Sequence, residues 1–189
     1  YFGTGITDET KKAIIEAVLR PVIGNAELLI QSDLMAAGLA LCGNQAGIAC
    51  ILGTGANSGF FDQGELQNQV PPLGFWLGDE GSGGHLGKSL MLAYLHQELP
   101  ADLRSLFEKR YGAIDRLSIL QKAYREEFPN RWFASFSKFL FDHRKHPFCY
   151  QLIEKSFQSF CELYLLKYEQ ALNQPIHFTG SVAFYYADI

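Results

Sequence analysis

Apolar residues change their spacing several times along the chain, and each change predicts an element. Ile14, Ala17 and Val18 recur at helical spacing behind Thr7, Asp8 and Glu9, a polar start that caps a helix. The helix is expected to end before Pro21, because proline lacks the N–H that a helix interior needs. Tyr1 to Gly3 reads as strand-like and Ala26 to Ile30 as a short apolar strand. From Leu34 to Cys42 the chain is apolar on every face and stops at Gly43, which predicts a helix buried between layers. Strand, helix, strand, helix points to an α/β fold.

Gly47 to Leu52 is a second apolar strand, and Asn57 to Phe61 leads through Asp62-Gln63-Gly64-Glu65 into Leu66 to Val70, a hairpin signature. Three strands should therefore meander here. After Pro71-Pro72 a glycine-rich stretch, Gly74 to Gly84, runs into a helix that carries Leu86, Leu90 and Tyr94 on one face, which poises the loop at a helix N-terminus. Residues 101–172 read as helical. Phe133, Phe136 and Leu140, then Ile153, Phe157, Phe160, Tyr164 and Tyr168, keep the spacing of a buried stripe. Ile176 to Phe178 is a last strand, followed by Thr179-Gly180-Ser181 and a helix start at Val182. With no repeat, low-complexity tract or linker, a domain boundary is expected within Gly43 to Gly47.

Composition narrows the function classes. The 189 residues suggest one full domain plus part of another, on a prior of ~150 residues each. Sixteen Lys and Arg against twenty Asp and Glu give −4, without long blocks of one sign, which disfavours a nucleic-acid partner. No apolar run approaches the ~18 residues of a membrane span. Cys42, Cys50, Cys149 and Cys161 form no CxxC pair and sit among apolar neighbours, as buried thiols in a reducing, cytoplasmic compartment would, so no metal ligands are assigned. A secretory pattern is missing. The chain starts on Tyr1 and closes on Tyr185 to Ile189 without a terminating signal, and is expected to be a fragment of a longer protein.

Chemistry concentrates in three glycine-centred turns: Gly53-Thr54-Gly55 after a strand, Gly78 to Ser82 before a helix, and Gly180-Ser181 after Phe178. Glycine lets backbone approach a ligand closely, and successive N–H groups in such turns make anion-binding concavities. Phosphate is the obvious anion. Asp33 follows the strand ending at Ile30, where open α/β sheets place ligands. Either Ser32 or Asp33 would also cap the following helix, and a capping carboxylate can still serve as a base. Asp79-Glu80 stands at a helix N-terminus, where the macrodipole favours negative charge, so a structural role competes with binding of ligand hydroxyls. His85 and Lys88 read as solvated helix residues.

Taken in order, "SDLMAAGLAL", "ILGTGANSGFF", "PPLGFWLGDEGSGGHLGKSL" and "FTGSVAFYY" resemble the N-acetylglucosamine kinase and BadF/BadG/BcrA/BcrD ATPase family, within the sugar kinase, heat-shock ATPase and actin superfamily. The resemblance spans nearly the whole chain. It implies an α/β, ribonuclease H-like (actin-like ATPase) fold in which two lobes close over ATP and sugar. Residues 1–45 would be the end of the first lobe, and residues 46–189 most of the second, with the helical region 101–172 inserted. Through the resemblance, Asp33 matches the catalytic aspartate, which accepts the proton of the attacking sugar hydroxyl. Gly53, Thr54 and Gly55 match the second phosphate-binding loop, Gly180, Ser181 and Val182 the adenosine-binding turn, and Asp79 a sugar-hydroxyl ligand. Leu73 and Gly74 fall in a segment that lines the sugar site.

The implied activity is ATP-dependent phosphorylation of an amino-sugar hydroxyl, with ATP and Mg²⁺ as cofactors and a second copy of the chain as a further candidate partner. Two departures stand out. The family's first phosphate loop is absent from this chain, so the chain alone is expected to neither phosphorylate sugar nor bind Mg·ATP with ordinary affinity. Ala56 and Leu73 replace the family's common Ser and the animal kinases' Trp. Two alternatives remain: an ATPase activator of 2-hydroxyacyl-CoA dehydratases, which needs convergent thiolates for an iron–sulfur cluster, and a sugar or nucleotide sensor without turnover.

Overall fold

The structure is a computed structural model that describes residues 1–6 and 8–189; Thr7, the first residue of the expected cap, lies outside the described residues. Helix α1 (Glu9–Ile23) is capped by Asp8, whose carboxylate accepts from the Lys11 N–H at 2.9 Å. It does not end before Pro21. The helix runs through the proline and stops at Gly24, φ 60°, and the Arg20 guanidinium reaches past the end to the carbonyls of Gly24 and Ala26 at 3.1 and 2.9 Å. That side chain satisfies acceptors which an interrupted last turn leaves open.

The strand expected over Ala26 to Ile30 is also displaced. Strands β1 (Phe2–Gly3) and β2 (Gln31–Ser32) pair in parallel, Phe2 with Gln31 and Gly3 with Ser32. A strand exists only where a partner lies opposite, and β1 offers two residues. Helix α2 (Asp33–Leu41) begins directly at the carboxyl end of β2. It packs on both sheets and is not enclosed between layers: Leu34, Ala37 and Gly38 are buried, whereas Leu39 is exposed. Gly38 has no substitute at this crossing, because a Cβ there would enter the Phe61 ring.

The second sheet has the order β5-β4-β3-β6, from β3 (Gly47–Leu52), β4 (Ala56–Asp62), β5 (Glu65–Asn68) and β6 (Ile176–Thr179). The first three form the expected antiparallel meander, and β6 adds in parallel beside β3. The β4–β5 turn has positive φ at Gln63 (52°) and Gly64 (79°), the primed geometry whose twist matches that of the strands it joins. β5 stops short of the expected Val70, whose N–H turns away to the Tyr168 hydroxyl at 3.0 Å.

Helices α3 (Gly74–Leu77), α4 (Gly83–Leu95), α5 (Ala101–Tyr111), α6 (Arg116–Tyr124), α7 (Pro129–Ser135), α8 (Ser137–Asp142) and α9 (Pro147–Leu163) follow, then two 3-10 turns. Helix α10 (Ser181–Tyr185) comes after β6 and starts one residue earlier than its sequence pattern suggests. The expected stripes are buried except at Phe157, which packs half-buried against them: Phe133, Phe136, Leu140, Ile153, Phe160, Tyr164 and Tyr168 join Ile48, Cys50 and Leu52 of β3 in the main core. Helix α4 is the axis of that core. At Gly87 it comes so near α7 that a Cβ would overlap the Phe133 carbonyl. Backbone cannot yield as a side-chain tip can, so Gly87→Ala is expected to destabilise the protein by about 1–3 kcal/mol or more. A lower urea midpoint at unchanged m-value checks this.

Candidate functional site

Three loops meet at the carboxyl end of β3. In the first, Gly53-Thr54-Gly55, the Gly53 N–H closes on the Gly55 carbonyl at 3.0 Å. Among the described residues the N–H groups of Thr54 and Gly55 have no hydrogen-bond partner, and Thr54 is exposed. Two free donors on one short loop suit an anion. The loop's carbonyls are occupied instead: those of Gly53 and Thr54 accept from Gly83 and Gly84, the first N–H groups of α4, at 2.8 and 3.0 Å. The Ser82 hydroxyl caps the next turn through the His85 N–H at 3.1 Å. The N-terminus of α4 is therefore filled by protein, and the anion donors belong to the Thr54 loop alone.

Asp79 lies in the second loop with φ 62° and only 7% exposure. A non-glycine residue in that conformation stores strain of order 1–3 kcal/mol, which persists only where surroundings enforce it. Its carboxylate accepts from the Ala56 N–H at 3.4 Å and lies 2.9 Å from where a Cβ on Gly55 would stand. Burial raises the carboxyl pKa; the Ala56 N–H and the Lys88 ammonium oppose that rise, and Glu80 adds to it. Asp79 thus ties the first loop to the second. Leu73 is exposed, and its Cβ lies 3.0 Å from the Cβ position of Gly78. Gly74, at φ 73°, opens α3.

His85 and Lys88 are half-buried and hydrogen-bonded to the protein, contrary to the solvated reading of their sequence pattern. Lys88 donates to the Phe75 carbonyl at 2.9 Å, and burial lowers its pKa. The His85 Nδ1 lies 2.8 Å from the Ser156 hydroxyl, which also accepts from the Gly81 N–H at 3.0 Å. Glu80 accepts from the Tyr164 hydroxyl at 3.0 Å. Of these partners the sequence pattern picked out Tyr164 as core alone and Ser156 not at all.

The third loop is Gly180-Ser181-Val182. Gly180 has φ 105°, and a Cβ there would meet the Leu52 carbonyl and stand 3.2 Å from the Gly53 nitrogen. Beside it a cleft of about 370 Å³ opens between α8 and α10, lined by Ser137, Lys138 and Phe141 on one side and Ser181, Val182 and Tyr185 on the other. Among the described residues no hydrogen bond joins Asp33 to the three loops. Ser32 is the cap of α2, accepting from the Met35 N–H at 3.3 Å. Among the described residues the half-buried Asp33 carboxylate accepts only from its neighbour Leu34, at 2.9 Å. Leu34 sits 3.2 Å from the Cβ position of Gly59 on β4, which fixes where α2 presents Asp33.

No family model and no curated protein matches the sequence. Among solved structures, a Porphyromonas gingivalis protein described as a candidate N-acetylglucosamine kinase is 39% identical with a TM-score of 0.92, over 99% of this chain and 65% of its own. The chain resembles this N-acetylglucosamine kinase-like protein along its whole length. A Chromobacterium violaceum protein of the same description, 18% identical with a TM-score of 0.72, covers 98% of this chain and 66% of its own and shares the fold. The chain thus spans a little under two-thirds of either relative.

Two outcomes follow from this geometry. Gly55→Ala places a methyl group against the Asp79 carboxylate as well as over the loop's donors, so binding of anionic and hydroxyl-bearing ligands should weaken together; calorimetry with ATP and with sugar on the full-length protein checks it. Burial lowers the His85 pKa from 6.5, with Lys88 adding to the shift and Glu80 opposing it. The unfolded chain then binds more protons, so this contribution to stability is fully present above pH 6.5 and is lost progressively as pH falls from 6.5 through the lower pKa of the folded state. Urea unfolding of His85→Asn should show a flatter loss of stability over that window.

Proposed function

We propose that the chain is the greater part of an ATP-dependent amino-sugar kinase of ribonuclease H-like, actin-like ATPase architecture. The observation that carries this reading is the convergence, at the carboxyl end of the parallel pair β3 and β6, of two unpaired loop N–H donors, a glycine turn flanking a cleft and a buried, strained Asp79. Likeness to a candidate N-acetylglucosamine kinase at 39% identity supports the same substrate class.

In this reading the N–H groups of Thr54 and Gly55 hold phosphate oxygens of ATP, the Gly180–Val182 turn carries the adenosine, and Asp79 with the Leu73–Gly74 segment accepts sugar hydroxyls. Asp33 orients the attacking hydroxyl and takes its proton as that oxygen bonds the γ-phosphorus; the bond from phosphorus to the bridging oxygen breaks and ADP leaves. Such a transfer needs positioning and charge stabilisation more than covalent help. Mg²⁺ would travel on the ATP phosphates, which leaves few ligands for protein carboxylates to supply, and would neutralise charge there. Freed from capping by Ser32, Asp33 has a carboxylate oxygen to spare for this work.

The electron-transfer activator is disfavoured by its thiols. Cys42 and Cys50 are buried, and burial pushes the Cys50 pKa up to about 12, the reverse of what a thiolate ligand requires. Measuring ADP release from the full-length protein with a panel of sugars tests the reading; release with none of them overturns it. Asp33→Asn in that protein should lower kcat on the order of 10²-fold or more while ATP affinity persists. A kcat near wild type would remove Asp33 from its role.

A further inference from the structure

Ser156, Phe160, Tyr164 and Tyr168 recur every four residues along α9 and the 3-10 turn beyond it, and all four are buried. A stripe that served packing alone would need no hydroxyls. Here each hydroxyl reaches the same short stretch of chain. Ser156 accepts from the Gly81 N–H at 3.0 Å, Tyr164 donates to Glu80 at 3.0 Å, and Tyr168 accepts from the Val70 N–H at 3.0 Å while held by the Ser58 hydroxyl at 2.9 Å. The contact is close as well as polar. A Cβ on Gly78 would lie 2.6 Å from the Tyr164 hydroxyl, and one on Gly81 3.0 Å from the Phe160 Cβ.

The segment between these anchors, residues 70–81, contains Leu73, Gly74 and Asp79. It has little regular structure of its own beyond the single turn of α3. Both of its ends are tied to one row of side chains, and the strained backbone of Asp79 lies between Gly78 and Gly81, the two glycines pressed on that row. We infer that the Ser156–Phe160–Tyr164–Tyr168 row is a positioning device that holds segment 70–81 in its ligand-binding shape, with Tyr164 and Tyr168 as positioning residues for the sugar. This rests on the proposed kinase function for its ligand, though the holding itself does not.

Tyr164→Phe and Tyr168→Phe remove one oxygen each and keep the packed ring. Each leaves a half-buried partner, the Glu80 carboxylate or the Val70 N–H, without its hydrogen bond, and such losses typically cost about one order of magnitude in an equilibrium. In the full-length protein, KM for N-acetylglucosamine should rise on the order of tenfold while KM for ATP and kcat change by less than about threefold. Amide hydrogen exchange should quicken within 70–81 and stay unchanged in β3 and α4. Tyr94→Phe, which loses a hydroxyl contact with Glu108 far along the core, should leave both KM values alone. Unchanged exchange in 70–81, or equal rises in both KM values, would overturn the inference. If the wild-type protein turns over no sugar, the kinase reading fails, and hydrogen exchange alone still decides whether the row holds the segment.

Discussion

The loop that would meet phosphate is shaped by the two hydrogen bonds it gives away. Gly53 and Thr54 surrender their carbonyls to the first turn of α4, and Gly83 and Gly84 have no side chains to keep the strand end from the helix. A helix N-terminus buried without partners would be costly; here the loop satisfies it with its carbonyls, and the Thr54 and Gly55 N–H groups keep no partner among the described residues. The rest of the site hangs on this joint. Asp79 crosses over to the Ala56 N–H, and Gly180 packs beside Gly53, so three sequence-distant turns become one surface.

That joint is braced from behind by aromatic packing. Phe107, Phe139 and Phe160 are fully or almost fully buried around α4, and burying each such side chain is worth about 1.5–3 kcal/mol. The helical region is therefore the platform on which the strained Asp79 turn rests: strain of the size carried there is small against the apolar surface buried beneath it.

Much of this was legible in the chain. Strands β3 and β4, the Gln63-Gly64 turn and the aromatic stripes follow from local periodicity and turn chemistry, which act over a few residues. The motif resemblance led to the sugar-kinase likeness that the structural relatives bear out. What escaped has one cause, partners distant in sequence. Pro21 looks like a stop until Arg20 is seen reaching beyond the helix end, and β2 shifts because its register belongs to Phe2 and Gly3. His85 and Lys88 sit on a helix flank with nothing nearby in sequence to cover them; Ser156 and the backbone of Phe75 do so in space. Tyr164 and Tyr168, just beyond α9, carried a weak signal, since a hydroxyl within a buried stripe must find a partner.

The pairing of Ile48 with Ile176 bears on how the protein comes into being. β3 and the Thr54 loop emerge early, but the strand that completes their sheet follows the entire helical region. Closing so long a loop costs entropy before the new contacts repay it, and non-local pairings of this kind slow folding. During synthesis the meander and α4 can assemble first, leaving the edge of β3 open and the Gly180 turn unmade until the helices have collapsed. The side of the site built by β6 and the Gly180 turn is then the last part of this chain to form, and the bare β3 edge is where a nascent chain is most exposed to pairing with the wrong neighbour.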